Sequence, residues 1–233
     1  MKSFLTQIRW QFVILYKNNL IAISIAVTVI YALIFYLIKD IPNVETFLTL
    51  LIYNDPAIIG LFFIGLSVIM EHNDNVLPAL FVTPVSYHHY LISKIIALSV
   101  IGWACASGMT LAILGFDVQW LHFSAGVLFT CIIFSLLGLF VVSFTTEFLS
   151  FMLRSIPLML LFSLPLFNYF GLTDMALFSI APIQGPLDLT VFSFSSTTEI
   201  NSVFVAYLSS IIWIPLLYFM VYKVFVKRII NAS

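Results

Sequence analysis

Six apolar runs dominate this sequence, at about 20–38, 47–70, 91–114, 123–145, 155–172 and 203–222. A helix needs roughly 20 mostly apolar residues to cross the hydrocarbon core of a bilayer, so each run is a candidate span. Composition agrees: 62% of the 233 residues are hydrophobic and 8% are charged, against about 25% charged in an average soluble domain. So few charges cannot cover a water-facing surface of this size, which excludes a soluble globular enzyme. Disorder is excluded too, because it requires low hydrophobicity and high charge. The expected fold is an all-α polytopic membrane protein with six transmembrane helices, forming a single transmembrane domain over 1–233.

Placement of charge predicts orientation, since Lys and Arg gather on the cytoplasmic side. With the N-terminus inside, Lys2, Arg9, Lys17, Lys94, Arg154, Lys223, Lys227 and Arg228 are cytoplasmic and only Lys39 lies opposite. Both termini are therefore expected in the cytoplasm. Asp40, Glu45, Asp117, Asp174, Asp188 and Glu199 fall outside by the same count, and Glu71, Asp74 and Glu147 inside. Cys105 and Cys131 lie within apolar runs, which argues against a disulfide framework. Lys2, Arg9 and Lys17 are scattered among apolar residues, unlike a cleavable signal with its charges first, so this start is expected to be retained.

Residues 2–18 have the pattern of a helix lying in the membrane interface. At 100° per residue Phe4, Leu15, Ile8, Phe12, Leu5 and Tyr16 form one arc of about 120°. Lys2, Arg9, Gln7, Gln11 and Lys17 fall on the remainder, with Val13, Trp10 and Ile14 as apolar exceptions. The interface helix, 1–19, serves either as a plain anchor or as a surface whose basic face, with Arg9 and Lys17, abuts a cytoplasmic subunit.

Two later regions are irregular. Asn54-Asp55-Pro56 interrupts the second run, and Asp is a natural N-cap while Pro fits a first turn. The sequence thus predicts an outer piece and a new helix from Pro56, with Asp55 as its cap. Asp55 is also the one carboxylate placed within the hydrocarbon, so a substrate or proton site is the alternative. The fifth run holds Pro157, Pro165 and Asn168, and proline kinks a helix. The segment 173–202 is too polar to span but retains the apolar pieces 175–183 and 189–194. Re-entrant helices between spans five and six are expected there, with breaks at Pro182 and Gly185-Pro186.

The loop 71–90 is the most informative stretch. Asp74 or Asn75 can cap a short helix whose first turn accepts Pro78. That helix must stop before Pro84, after which Ser86 can cap the third span. Leu77, Leu80 and Phe81 are then apolar residues in a cytoplasmic loop, which calls for the membrane or another protein as a partner surface. The run Glu71…Leu77-x-x-Leu80-x-x-Thr83-Pro84-Val85-Ser86-x-x-x-Tyr90-x-x-x-Lys94 resembles the signature that follows the second span in permeases of type-2 ATP-binding-cassette (ABC) exporters. The overall layout is similar as well. The Asp55-Pro56…Gly60-Leu-Phe-Phe-Ile-Gly65 stretch and the short length are most similar to the fluoroquinolone-type drug export permease subunits. Where that family usually carries Gly-Thr, this chain has Asn75-Val76.

The resemblance implies that residues 76–83 form a short cytoplasmic coupling helix inserted into a separate ABC ATPase subunit, with the N-terminal helix beside it. Glu71, Leu77, Leu80, Phe81, Thr83, Pro84, Tyr90 and Lys94, together with Arg9 and Lys17, are the implied ATPase-subunit interface. ATP and Mg would be bound by two copies of that ATPase, and a second permease protomer, identical or paired, would complete the pathway. Asn54, Asp55 and Asn168 are the candidates to line it. No cofactor, nucleic-acid or metal site is expected in this chain.

What the chain lacks is consistent with this reading. A phosphate-binding loop requires Gly-x4-Gly-Lys-Ser/Thr, and none of the nine glycines is followed by lysine. His88 and His89 are adjacent and diverge by about 100° on a helix, so they are no chelating pair. The serines lie in apolar helices, where they bond backbone or neighbouring helices rather than act as nucleophiles. Asn231-Ala-Ser233 matches a glycosylation sequon on the wrong side for use. The expected function is a transmembrane permease subunit of an ATP-driven exporter of small amphiphilic, drug-like compounds in a bacterial-type inner membrane. The rivals are an ion-coupled secondary transporter, which would need membrane-buried carboxylates, a non-transporting scaffold, and an intramembrane hydrolase.

Overall fold

The structure, a computed structural model, describes residues 2–37, 44–74, 76, 86–172, 178, 180–194 and 200–230, and among these there is no strand. Ten α-helices are present among the described residues: α1 (Lys2–Lys17), α2 (Leu20–Leu37), α3 (Val44–Ile58), α4 (Ile64–Asn73), α5 (Tyr87–Leu114), α6 (Trp120–Val142), α7 (Phe148–Phe162), α8 (Pro165–Tyr169), α9 (Gln184–Phe194) and α10 (Ile200–Phe225). Five segments are each long and apolar enough to cross a membrane: Thr49–Asn73, Tyr87–Leu114, Trp120–Val142, Phe148–Tyr169 and Ile200–Arg228. The remaining expected span is α2, which follows α1 across a bend of 67°. The chain is a multi-pass membrane protein.

Local chemistry sets several of the boundaries. Asn19 adopts a left-handed φ of 58°, a conformation Asn tolerates at a helix end, and this separates α1 from α2. Ser86 is extended and its Oγ accepts the His89 N–H at 3.2 Å, so it caps α5 as its position predicted. Pro165 opens α8 after a turn at Ser163 and Leu164, whereas Pro157 is carried inside α7.

The second span departs from expectation. Asp55 and Pro56 lie inside α3, so Asp55 is not an N-cap and no new helix starts at Pro56. A π-helical turn, Ile59–Phe63, joins α3 to α4 instead. Pro56 withholds the N–H that would bond one turn back, and the wider turn lets the chain continue without a break. Tight packing holds the turn in place: a Cβ on Gly60 would lie 2.6 Å from the Cys131 carbonyl oxygen, and one on Gly138 would strike the Leu61 carbonyl. In lipid, close approach of this kind is what draws helices together, because the solvent is as apolar as the side chains.

At the centre, α6 packs against α3, the π-helical turn, α5, α9 and α10. Helix α7 stands at the periphery, with Leu149, Leu153, Leu160 and Leu161 exposed. Helix α1 lies against α5, but on a rotated face. Gln11, assigned to the polar side by sequence, is buried at 2% exposure beside Leu15, while Leu5 and Tyr16 are exposed. The apolar arc is thus split between protein and surroundings.

Before the last span, the described residues 180–194 fold back against the spans. Trp213 Nε1 donates to the Ile180 carbonyl at 3.1 Å, and Trp213 lies about 20 Å along α10 from its start. Helix α9 then climbs back, until Ser193 O accepts the Gln119 N–H at 3.0 Å beside the start of α6. Pro182 sits in the turn before α9, but Gly185-Pro186 does not break the helix; it forms the first turn, where proline is well tolerated.

Candidate functional site

The end of the bundle where α4 ends and α5 begins holds a buried polar cluster. Glu71, in the last turn of α4, and Lys94, in the second turn of α5, form an ion pair of 2.6 Å whose side chains are 5% and 0% exposed. Lys94 Nζ also donates to Ser67 Oγ at 2.7 Å. The Tyr90 hydroxyl donates to the other carboxylate oxygen, Glu71 Oε2, at 2.5 Å. Sequence spacing explains the convergence: Ser67 and Glu71 are four apart on α4, as are Tyr90 and Lys94 on α5, so each pair shares a helix face. A buried charge is tolerated only with such complete pairing.

The first turn of α5 ties this network to two other helices. Tyr90 packs on Phe225 of α10, with ring centroids 6.2 Å apart. His88 Nδ1 and Tyr218 Oη share a hydrogen bond of 2.6 Å, and the His88 ring stacks on Tyr222 at 3.9 Å. His89 meets Phe4 of α1 at 5.3 Å. These contacts join the loop's return end to α1, α4 and α10 together.

The structure brings together Glu71, Tyr90 and Lys94 from the sequence motif and turns their side chains inward. Arg9 and Lys17 are exposed on α1. Leu77, Leu80, Phe81, Thr83 and Pro84, and with them the coupling helix, lie outside the described residues. In the membrane interior, Asn54 Nδ2 donates to the Leu50 carbonyl at 2.9 Å. Asp55 is 5% exposed and its Oδ2 is buried without a hydrogen-bond partner. Asn168 is half-buried on a separate element, α8. Among the described residues no group of three or more His, Cys, Asp or Glu could hold a metal ion.

Sequence reasoning passed over Ser67, the aromatic contacts of His88, and the pair Gln184–Asp188 on α9, where Gln184 Nε2 donates to Asp188 Oδ1 at 2.7 Å. The spacing from Glu71 was a readable signal for Ser67. The other two depend on contacts distant in the chain.

The sequence profile of the fluoroquinolones export permease protein family matches residues 2–233. Among curated proteins, the chain is 29% identical over 148 residues to the fluoroquinolones export permease proteins of two Mycobacterium tuberculosis strains. That similarity covers 62% of this chain and 61% of the length of each relative.

Proposed function

Because this chain belongs to the fluoroquinolones export permease protein family, we propose that it is the transmembrane permease subunit of an ATP-driven exporter of small amphiphilic compounds. The observation that carries the reading is the buried Glu71–Lys94–Tyr90 network at the root of the 71–90 loop. A loop that only rests on a membrane has no need of a root built from two paired, desolvated charges. A loop that receives force from a motor protein does, since the force must reach the spans without being lost in a soft joint.

In the proposed cycle, two copies of a separate ABC ATPase bind ATP and close. Each closure displaces a coupling helix at 76–83, with Leu77, Leu80 and Phe81 in the apolar contact and Thr83 and Pro84 ending it. Glu71, Tyr90 and Lys94 are positioning residues, which pass the displacement to α4, α5 and α10. Arg9 and Lys17 on the exposed side of α1 complete the docking surface. Two protomers in the inner membrane, with termini in the cytoplasm, enclose the pathway, to which Asn54, Asp55 and Asn168 contribute. A fluoroquinolone, the compound for which the relatives are named, is the first amphiphile to try.

The buried, unpartnered Asp55 favours an ion-coupled transporter as the second reading, because intramembrane carboxylates are the usual proton-coupling groups. Tagged purification from native membranes in mild detergent, followed by mass spectrometry, separates the two. The proposal expects a stoichiometric partner with a phosphate-binding loop, lost on Leu80→Asp. Recovery of the chain without any ATPase would contradict it.

A further inference from the structure

Charge counting assigned Asp188 to the exterior, yet α9 carries it into the depth of the bundle. Helix α9 begins next to the segment that bonds Trp213 in the middle of α10, and its first half packs closely on two spans. A Cβ on Gly185 would lie 2.6 Å from the Ala206 carbonyl oxygen, and one on Gly126 would lie 2.6 Å from Thr190 Oγ1. These contacts bury Gly185, Pro186, Leu187, Leu189, Thr190 and Ser193.

The opposite side of α9 is different. Gln184, Asp188, Val191 and Phe192 are all half-buried, and at 100° per residue they fall in a single arc of about 100°. This strip carries a carboxylate about 7–8 Å along α9 from the Ser193–Gln119 contact at the start of α6, and no basic side chain pairs with Asp188 among the described residues, where the one ion pair is Lys94–Glu71. Facing lipid, such a group would be costly; ionisable residues within membranes face a bundle interior, a partner or a water-filled path. Beside it, Gln184 spends its amide donor on Asp188 Oδ1, and its own Oε1 is buried with no partner. The strip thus offers a negative charge flanked by the apolar surfaces of Val191 and Phe192, with an unused acceptor buried just behind it.

We propose that Gln184 and Asp188 form an amine-recognising subsite of the translocation pathway, taking amphiphiles that carry a protonated amine. The ammonium supplies the positive charge for Asp188, a turn of the Gln184 side chain brings its unused Oε1 to a second ammonium N–H, and the hydrophobic body of the ligand lies along Val191 and Phe192. The role in transport rests on the export reading above; binding does not.

The test uses a matched pair of fluorescent probes, 1-aminomethylpyrene and 1-hydroxymethylpyrene, which differ in the amine. Binding to the purified full chain in lipid nanodiscs, corrected for protein-free nanodiscs, is expected to favour the amine by about tenfold or more, the scale of one charge-assisted hydrogen bond. Asp188→Asn, which keeps size and shape, should abolish that preference without weakening the alcohol. Asp188→Glu should retain most of it, and Gln184→Leu should reduce it in part. An equal loss of both probes in Asp188→Asn would mean a structural role and overturn the subsite, as would an unchanged preference. ATP-driven uptake of the same probes into everted membrane vesicles is the second arm. Amine preference in binding with no ATP-driven uptake would overturn the export reading while leaving the subsite standing.

Discussion

Lys94 reaches across from α5 to place its Nζ 2.6 Å from Glu71 Oε1 on α4, and neither side chain is more than 5% exposed. These residues are 23 apart in the chain, and the whole 71–90 loop is closed between them. The pair staples the two ends of the loop to each other at the point where the loop meets the spans.

Breaking that staple on one side should be severe. Lys94→Met leaves the Glu71 carboxylate buried without its counter-charge, a change that costs about 3–5 kcal/mol in comparable sites. Thermal unfolding followed by fluorescence-detected size exclusion is expected to reveal a large loss. The double variant Lys94→Met/Glu71→Leu should recover much of it, because the orphaned charge is gone. A single variant as stable as the wild type would contradict the burial described for the pair.

Asp55→Asn should leave stability unchanged or raise it, because the change removes a buried charge while keeping the size and shape of the side chain. Asp55 Oδ2 has no partner to lose, and the side chain caps no helix. Clear destabilisation in the same assay would reveal a partner for the carboxylate. Proton-gradient dependence of export that vanishes in Asp55→Asn would favour the ion-coupled reading.

Glycine positions supply a graded test of helix packing. Gly138→Ala should destabilise strongly, because its Cβ would press on the Leu61 backbone, which cannot rotate away. Gly65→Ala should destabilise as well, since its Cβ would overlap the ring of Phe151, which is fully buried and packed edge-on against Phe62. Gly108→Ala, with nothing within 4 Å, should be neutral or stabilising by about 1 kcal/mol from helix propensity. The order of midpoints, not their absolute values, is the check.

Ser86→Ala should lower stability by about 0.5–2 kcal/mol through loss of the α5 cap, and Ser86→Asp should preserve it. Thermal midpoints of the three proteins measured side by side decide this, and identical midpoints would contradict the cap.

The spans and their order could be read from hydropathy, and the Ser86 cap from the residue types that precede α5. Asp55 could not be read correctly, because Asn54-Asp55-Pro56 is as good a local start signal as a sequence contains. What overrides it is the packing of Gly60 and Gly138 against backbones far away in the chain. The depth of Asp188 escaped for a related reason: polarity predicts that 173–202 does not span, but only contacts with α6 and α10 decide how far it dips. Gln11 follows the same rule, since periodicity finds an amphipathic helix and cannot tell which neighbour claims its edge. At the loop root, Glu71, Tyr90 and Lys94 could be picked out as a motif, while their union into one buried network required the two helices to be set side by side.

The most direct test of the export reading is transport in everted native membrane vesicles containing the chain and the proposed ATPase subunit, using an intrinsically fluorescent fluoroquinolone as cargo and an ionophore to collapse ion gradients. The account predicts accumulation that requires ATP, persists without a gradient, and disappears in Leu80→Asp while the protein remains in the membrane. Accumulation that stops when the gradient is collapsed, with ATP still present, would contradict it.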